Sequence, residues 1–372
     1  MQSSDTVSAL QEQVRQAIAE RRPLLPRGGG SKDWLDPDPA RSRGAQRLDM
    51  RAHSGIVSYE PSELYVTARA GTPLLELEEL LARQGQCLPC DPPRFARDGR
   101  SATVGGMLAS GLSGPGRLSV GAVRDFVLGA SLLSGRAEIL RFGGQVMKNV
   151  AGFDVSRLLA GSMGSLGAIL DVSLKVLPQP RAQATLGFEM DQRRAIEQVN
   201  QWCARPLPIS ASAWFAHAGG GERLYLRLRG ARAAVEAACS ALGGERLDPQ
   251  RADALWTGVR DQESDWFAPS WEAEAPEALW RIAVPSLTPA LDLPGHWLVE
   301  WGGALRWLRS DADAGAIREA AARAGGHATR FRGGDAAVPV FTPPAPVLQG
   351  IHRRVKSSFD PHGLFPDCFG LS

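Results

Sequence analysis

Between Gly99 and Gly167 lie 15 of the chain's 41 glycines, about twice the share that this length of a 372-residue chain would hold by chance. Glycine at such density means tight turns, or backbone brought close to a ligand. Two glycine clusters fall inside this window and a third precedes it. The earliest, Arg27-Gly28-Gly29-Gly30-Ser31, follows the short strand-like run Leu24-Leu25-Pro26. Three consecutive glycines leave backbone N–H groups free to point at one anion with no Cβ in the way, as in a phosphate nest. An ordinary loop is the alternative for this segment taken alone. In the second cluster, Gly105, Gly106 and Gly111 interrupt an apolar helical run beginning at Ser101. Each costs about 1 kcal/mol relative to alanine in a helix, a cost that close packing against a flat ligand or its diphosphate would offset.

The third cluster is Gly161-Ser162-Met163-Gly164-Ser165-Leu166-Gly167. A dinucleotide fingerprint would need a strand before the glycines, a helix after them and an acid about 20 residues on. Here Ile169, Val172, Leu174 and Val176 follow, with strand-like alternation in the second half, and no acid stands at the required place. The nicotinamide reading fails, and so does the P-loop, for want of G-x-x-x-x-G-K-[ST].

Composition narrows the class further. The chain is 44% hydrophobic and 22% charged, ordinary for globular proteins. Its 42 basic and 40 acidic side chains give a formal charge of +2, no footprint for nucleic acid or an anionic membrane. Five cysteines, an odd number, argue against a disulfide framework. Cys87 and Cys90 form a C-x-x-C that runs into Asp91-Pro92-Pro93. Redox or metal chemistry would call for a helix N-terminus or a second ligand pair, so a loop beside a cofactor is the favoured reading. No run of about 18 apolar residues marks a membrane span. Val7, Leu10, Val14 and Ile18 recur at helical spacing in a charged N-terminus, which predicts an amphipathic helix and a cytoplasmic location.

Three regions are expected: residues 1–180, residues 181–346 and residues 347–372. The first should run strand, glycine loop, strand, strand, helix. Within it, residues 64–70 alternate as a strand, Thr72 caps a helix with Pro73 at its first position, and Leu74, Leu77, Leu80 and Leu81 form its apolar stripe. The second holds nine of the ten tryptophans and mixes strands (residues 224–228, 297–301, 305–308) with helices (residues 231–242, 313–324) that end at paired glycines. That alternation predicts an α+β domain on an antiparallel sheet. The last is a short helix, a turn at Asp360-Pro361-His362-Gly363, and a tail.

Taken together, the segments carry a resemblance. Lys148-Asn149-Val150-Ala151-Gly152-Phe153-Asp154, followed by the third glycine cluster, resembles the signature of 2-hydroxy-acid dehydrogenases of the vanillyl-alcohol-oxidase, or PCMH-type, FAD-binding family. Pro89-Cys90-Asp91-Pro92-Pro93, Val123-Arg124-Asp125-Phe126-Val127-Leu128-Gly129, Trp301-Gly302-Gly303-Ala304-Leu305-Arg306-Trp307-Leu308 and Gly325-Gly326-His327-Ala328-Thr329-Arg330-Phe331 are similar to the E subunits of bacterial glycolate oxidases. Similarity runs from about residue 25 to about residue 365. The resemblance implies an α+β protein: a PCMH-type FAD-binding domain of two α/β subdomains over residues 1–180, an α+β cap on an antiparallel sheet over 181–346, and a C-terminal segment, 347–372, returning toward the FAD domain. It places FAD against Arg27, Gly28, Gly29, Gly30, Ser31, Pro89, Asp91, Thr103, Gly105, Gly106, Gly161, Ser162, Gly164, Ser165, Gly167 and Ile169. Covalent members carry a histidine just after the glycine loop. Ser31 stands there, so non-covalent FAD is expected. The tail Gly363-Leu364-Phe365-Pro366-Asp367 lacks the Asn-Pro-Gly ending of relatives.

The function so implied is that of the FAD-binding subunit of a complex oxidising glycolate, a small 2-hydroxy acid, to glyoxylate, with electrons passed to an acceptor other than NAD. The partners would be a homologous FAD-containing catalytic subunit and an iron–sulfur subunit, with any membrane contact made through them. Such oxidation requires a hydride acceptor, a base for the hydroxyl proton and a cation for the carboxylate. Catalytic relatives carry a Glu-His-Gly cluster in the cap, and no Glu-His pair occurs here. His327 as base with Arg330 as carboxylate clamp is the best catalytic candidate. Its alternative is a structural histidine closing the cap on the FAD domain. Metal-ligand spacing is absent. A stand-alone D-lactate-type dehydrogenase and a non-catalytic structural flavin subunit remain alternatives.

Overall fold

The amphipathic N-terminus forms the helix Gln2–Glu20, which buries Leu10, Val14 and Ala17 against Leu24, Leu48 and Phe365. In this computed structural model residues 2–144, 154–217, 220–271 and 277–368 are described. The chain divides into two compact units. Met1–Ser113, Ala122–Gln179 and Pro343–Ser372 form the first, and Gly114–Gly121 with Pro180–Thr342 forms the second.

The first unit holds two β layers. Strand Leu24–Arg27 runs parallel to Gln46–Asp49, and the glycine loop leaves its end. A five-stranded antiparallel sheet has the order Ile56–Glu60, Tyr65–Arg69, Ala168–Lys175, Val127–Leu133, Ile139–Gly143. The central strand Ala168–Lys175 buries residues on both faces, which explains why its alternation is incomplete in sequence. The helix of the leucine stripe spans Leu74–Arg83, one residue later than expected, with Pro73 rather than Thr72 at its N-cap. The buried Thr72 hydroxyl instead accepts from the Gly55 N–H (2.9 Å) and donates to the Gly55 carbonyl (3.1 Å), tying two loops.

The C-terminal helix Pro346–Phe359 also belongs to this unit. The buried Asp360 carboxylate at its end accepts from the N–H groups of Leu364 and Phe365 (2.9 Å each) and from Lys356 Nζ (2.9 Å). The Leu364 carbonyl in turn accepts from Leu24 N, at the root of the glycine loop.

The second unit is an eight-stranded antiparallel sheet. Its order is Glu245–Arg246, Ala182–Glu189, Glu222–Gly230, Ile209–Ala216, His296–Glu300, Leu305–Ser310, Ala278–Ala283, His327–Arg332. Helices Gln192–Cys203 and Arg232–Leu242 cover one face at one end, burying Ile196, Val199 and Val235 against Leu226. Helix Ala314–Arg323 covers the same face at the other end, burying Ile317 and Ala321 against Trp280 and Ile282. Asp313 caps it by accepting from Ala316 N. The opposite face carries Arg227, Glu300, Arg281 and His327. Directly paired residues share a face and neighbours along a strand alternate, so the registers Ala283↔His327, Ala283↔Leu305 and Leu305↔Glu300 put Glu300, Arg281 and His327 on one face of the sheet.

Phe365 is fully buried in the core of the first unit. Phe365→Ala should lower the unfolding free energy by about 3–5 kcal/mol, read from urea or thermal unfolding, because it removes a fully buried ring and leaves a cavity in the core.

Candidate functional site

Two adjoining cavities lie in the first unit. The larger, about 530 Å³, is lined by the glycine loop, the helix Val104–Ser110 and Pro366 of the tail. The smaller, about 70 Å³, adds Gly164, Gly167 and Ile169 from the third glycine cluster, together with Ala70. Pro26, Gly28, Thr103, Gly106, Ala109 and Met163 border both. Their combined size falls within the roughly 300–1,000 Å³ usual for cofactor and ligand pockets.

Backbone-to-backbone contact builds this convergence. Ser101 N donates to the Gly29 carbonyl (3.4 Å), and a Cβ on Gly29 would lie 1.9 Å from the Ser101 carbonyl oxygen. Gly29 is therefore required first by the neighbouring chain segment. Gly111, at φ +62, ends the helix Val104–Ser110, and a Cβ there would approach Gly161 N to 2.8 Å. Gly161 N donates to Leu108 O (3.0 Å) and Met163 N to Ala109 O (2.8 Å), docking the third cluster on this helix.

The available donors are in the loop. Among the described residues, the backbone N–H groups of Gly28, Gly29 and Gly30 have no protein acceptor. By contrast, Val104 N donates to Thr72 O, Gly105 N to Ala70 O and Gly106 N to Thr103 Oγ1, so the start of this helix forms wall rather than anion nest. Arg27 is held by Asp33 across the loop, and that hydrogen bond raises its pKa above the ordinary guanidinium value. It closes the loop instead of presenting an open cation. Exposed Arg43 and Arg47 line the larger cavity and supply positive charge there.

Of the residues expected to meet FAD, Arg27, Gly28, Gly29, Gly30, Ser31, Thr103, Gly105, Gly106, Gly164, Gly167 and Ile169 line one cavity or both. Gly161, Ser162, Ser165, Pro89 and Asp91 line neither. Ser162 and Ser165 serve the fold through their carbonyls, which accept from Cys368 Sγ (3.5 Å) and Lys356 Nζ (2.9 Å) respectively. Pro89 is buried, and Asp91 takes a left-handed turn at φ 45. Residues 145–153, with most of the Lys148-to-Asp154 motif, lie outside the described residues. Sequence reasoning missed Arg43, Arg47, Ser110, Met163 and Pro366. Met163 stands inside the third cluster and Pro366 in the tail already singled out, whereas Arg43 and Arg47 carry no motif. Cys87 and Cys90 form no disulfide among the described residues, and burial pushes the Cys90 thiol far up, away from thiolate chemistry.

The catalytic candidates lie in the second unit. His327 and Arg330 share the strand His327–Arg332 but point to opposite faces: His327 pairs with Ala283, Arg330 with Trp280 of the helix-covered face. Arg330 also donates to the carbonyls of Val338 (3.0 Å) and Gly333 (2.8 Å), closing the following turn. A base-and-clamp pair is not assembled. The His327 pKa is held below its ordinary value by partial burial and by the Arg281 cation. On the same face of the sheet, Glu300 is 3% exposed, and burial pushes its carboxyl up to about 7 despite a hydrogen bond from Trp307 Nε1 (2.7 Å) and the nearby Arg281 and Arg227 cations.

The class follows from comparison with known proteins. A family model described as an FAD binding domain matches residues 4–143. The solved structure of alkyldihydroxyacetonephosphate synthase aligns with a TM-score of 0.65 over 95% of this chain and 74% of that one, at 14% identity, a likeness of fold. The chain is 45% identical to glycolate oxidase subunit GlcE of Escherichia coli (strain K12), over 98% of this chain and 97% of that protein. It is 30% identical to glycolate oxidase subunit GlcD of Bacillus subtilis (strain 168), over 45% of this chain and 34% of that protein. The fold is thus that of the PCMH-type FAD-binding proteins, mixed helices with antiparallel sheets. Within that class, the chain belongs to the family of glycolate oxidase subunit GlcE.

Two outcomes are expected. Gly29→Val should displace the segment at Ser101 and lower both flavin bound per chain, read by absorbance, and the unfolding midpoint. The raised Glu300 pKa means that its contribution to stability is present below the ordinary carboxylate range and is lost as pH rises through about 7. Glu300→Gln should therefore gain on the unmodified protein by up to about 3 kcal/mol between about pH 5 and about pH 9, measured by urea unfolding.

Proposed function

We propose that this chain is the FAD-binding subunit of a complex that oxidises glycolate to glyoxylate, the first unit serving as flavin domain and the second as cap. The observation that carries the reading is the convergence of three separated glycine segments on the cavities of the first unit. Together with 45% identity to a glycolate oxidase subunit over nearly the whole chain, it supports an oxidoreductase acting on CH–OH groups.

The residues present suit the cofactor. Unpaired N–H groups of Gly28, Gly29 and Gly30 can hold the diphosphate, with Arg43 and Arg47 providing counter-charge. The small apolar wall at Ala70, Met163 and Ile169 excludes water from the inner end. Bound there, FAD would supply two-electron redox chemistry to the complex. Ser31 in place of a histidine keeps it non-covalent, and the absence of a dinucleotide fingerprint fits an electron acceptor other than NAD.

Substrate oxidation then falls mainly to a homologous FAD-containing subunit, with an iron–sulfur subunit completing the complex. This division rests on the missing Glu-His cluster and on Arg330, whose guanidinium holds its own turn. Among the described residues no helix is long and apolar enough to cross a membrane, so membrane contact would come through the partners.

The test is to purify the chain alone and with the homologous flavin subunit, release flavin with acid, and follow glycolate-dependent dye reduction. Acid-soluble FAD on this chain, with dye reduction only in the joint preparation, is the expected result. Robust turnover by the chain alone would establish the stand-alone dehydrogenase instead, and flavin left on the precipitate would overturn non-covalent binding.

A further inference from the structure

One buried histidine of the first unit lies behind the flavin cavities and lines neither of them. His53 is 3% exposed and sits in the turn between the strands Gln46–Asp49 and Ile56–Glu60. Its Nε2 is 3.1 Å from Asp171 Oδ1, and Asp171 Oδ2 accepts from Ser131 Oγ at 2.7 Å. Asp171 is paired with Arg69 on one neighbouring strand and with Ser131 on the other, so imidazole, carboxylate and hydroxyl form a chain across the middle of the five-stranded sheet. Burial alone would raise the Asp171 carboxyl, but the hydrogen bonds from His53 and Ser131 hold it below the ordinary carboxylate range. It is ionised at neutral pH and can only accept, which puts a ring proton on Nε2. Among the described residues the other ring nitrogen, Nδ1, has no hydrogen-bond partner. The ring's polar tie to the protein is its bond to Asp171.

That bond secures the backbone around His53. His53 N donates to Met50 O (3.0 Å), and His53 O accepts from Gly71 N (2.9 Å). The two stretches meet so closely that a Cβ on Gly71 would lie 2.0 Å from Met50 O and 2.7 Å from His53 O. Further along the turn, Gly55 O accepts from Arg69 N (3.0 Å) and Ser54 O from Arg69 Nη1 (2.9 Å). With the Thr72 hydroxyl on Gly55, the turn is clamped along its length to residues 69–72.

Residues 69–72 in turn carry the inner end of the cavities. Met50 and Ala70 line the smaller one. Ala70 O accepts from Gly105 N (2.8 Å) and Thr72 O from Val104 N (3.0 Å), so the helix Val104–Ser110 starts from this same backbone. Gly106 and Ala109 of that helix border both cavities. A shift of the turn would therefore move two walls at once.

We propose that His53 is a positioning residue of the cofactor site: by donating to Asp171 it fixes the turn at residues 50–55, and through it the wall at Met50 and Ala70 and the start of the helix Val104–Ser110. The inference rests on the flavin reading of the two cavities and adds to it a residue outside them. Its effect on FAD is exerted entirely through where the wall stands.

The test compares two amides of different reach in the full-length protein. His53→Gln places an amide N–H near the position of Nε2, and His53→Asn places one near Nδ1, short of Asp171. FAD is titrated into flavin-stripped protein and followed by quenching of flavin fluorescence, and hydrogen exchange is read by mass spectrometry on the same samples before FAD is added. His53→Gln should bind within about threefold of the unmodified protein, and His53→Asn at least about tenfold more weakly. Exchange should quicken at residues 50–55 and 69–72 in His53→Asn and stay slow in His53→Gln. Ser131→Ala, which leaves His53 in place and frees one side of Asp171, should weaken binding by about threefold with the same exchange pattern. Equal binding by the two amides, unchanged binding by Ser131→Ala, or exchange quickened throughout both units in His53→Asn would each overturn the proposal. If the unmodified chain took up no FAD while residues 50–55 and 69–72 stayed protected, the flavin reading itself would fall, and the proposal with it.

Discussion

The approach of the Gly29 backbone to Ser101, too close for any side chain between them, is the constraint on which the first unit's architecture rests. It brings the end of the parallel pair Leu24–Arg27 and Gln46–Asp49 against the entry to the helix Val104–Ser110. That helix in turn receives the third glycine cluster through the Leu108 and Ala109 carbonyls. The tail locks the base of the loop from below, because Asp360 organises Leu364 and Phe365 and Leu364 reaches Leu24. Each contact uses backbone polar groups, which is why the walls are smooth and why so few side chains define the cavities.

One consequence concerns the meaning of the glycines. A glycine-rich loop invites the reading that every glycine makes room for a ligand. Here Gly29 and Gly111 make room for other protein backbone, and the ligand benefits indirectly from the shape that results. The helix behind Thr103 is similar: its first N–H groups are already paired with Ala70, Thr72 and Thr103. Among the described residues, the backbone N–H groups left without an acceptor beside these cavities are those of the loop, and Arg43 and Arg47 line the same cavity.

The second unit follows a different physical logic. Its sheet buries one face under helices with ordinary apolar packing, while the other face gathers Arg227, Glu300, Arg281 and His327. Burial raises the Glu300 carboxyl to about 7 and lowers the Arg281 guanidinium to about 10, with each charge opposing the other's shift and Arg281 also set over the Trp301 ring. Sheet registry creates this arrangement, because alternate residues of a strand point to opposite faces, and at Arg227 and Glu300 both faces of the sheet are buried.

Local pattern alone determined a good deal about this protein. Helical spacing located the N-terminal helix, glycine pairs ended the helices of the second unit, and shared motifs identified the flavin family, since these signals depend on neighbours along the chain. Tertiary structure decided the rest. Thr72 was free to cap its helix in sequence terms, but the folded chain set Gly55 beside it. Arg330 looked like a carboxylate clamp until strand parity turned it away from His327 and toward its own turn. His53, Asp171 and Ser131 carry no common motif, being far apart in sequence, and Arg43 and Arg47 reach the larger cavity only because two strands pair in parallel. Which groups meet across a sheet or a loop depends on register and closure, and neither is written in the spacing of residues along the chain.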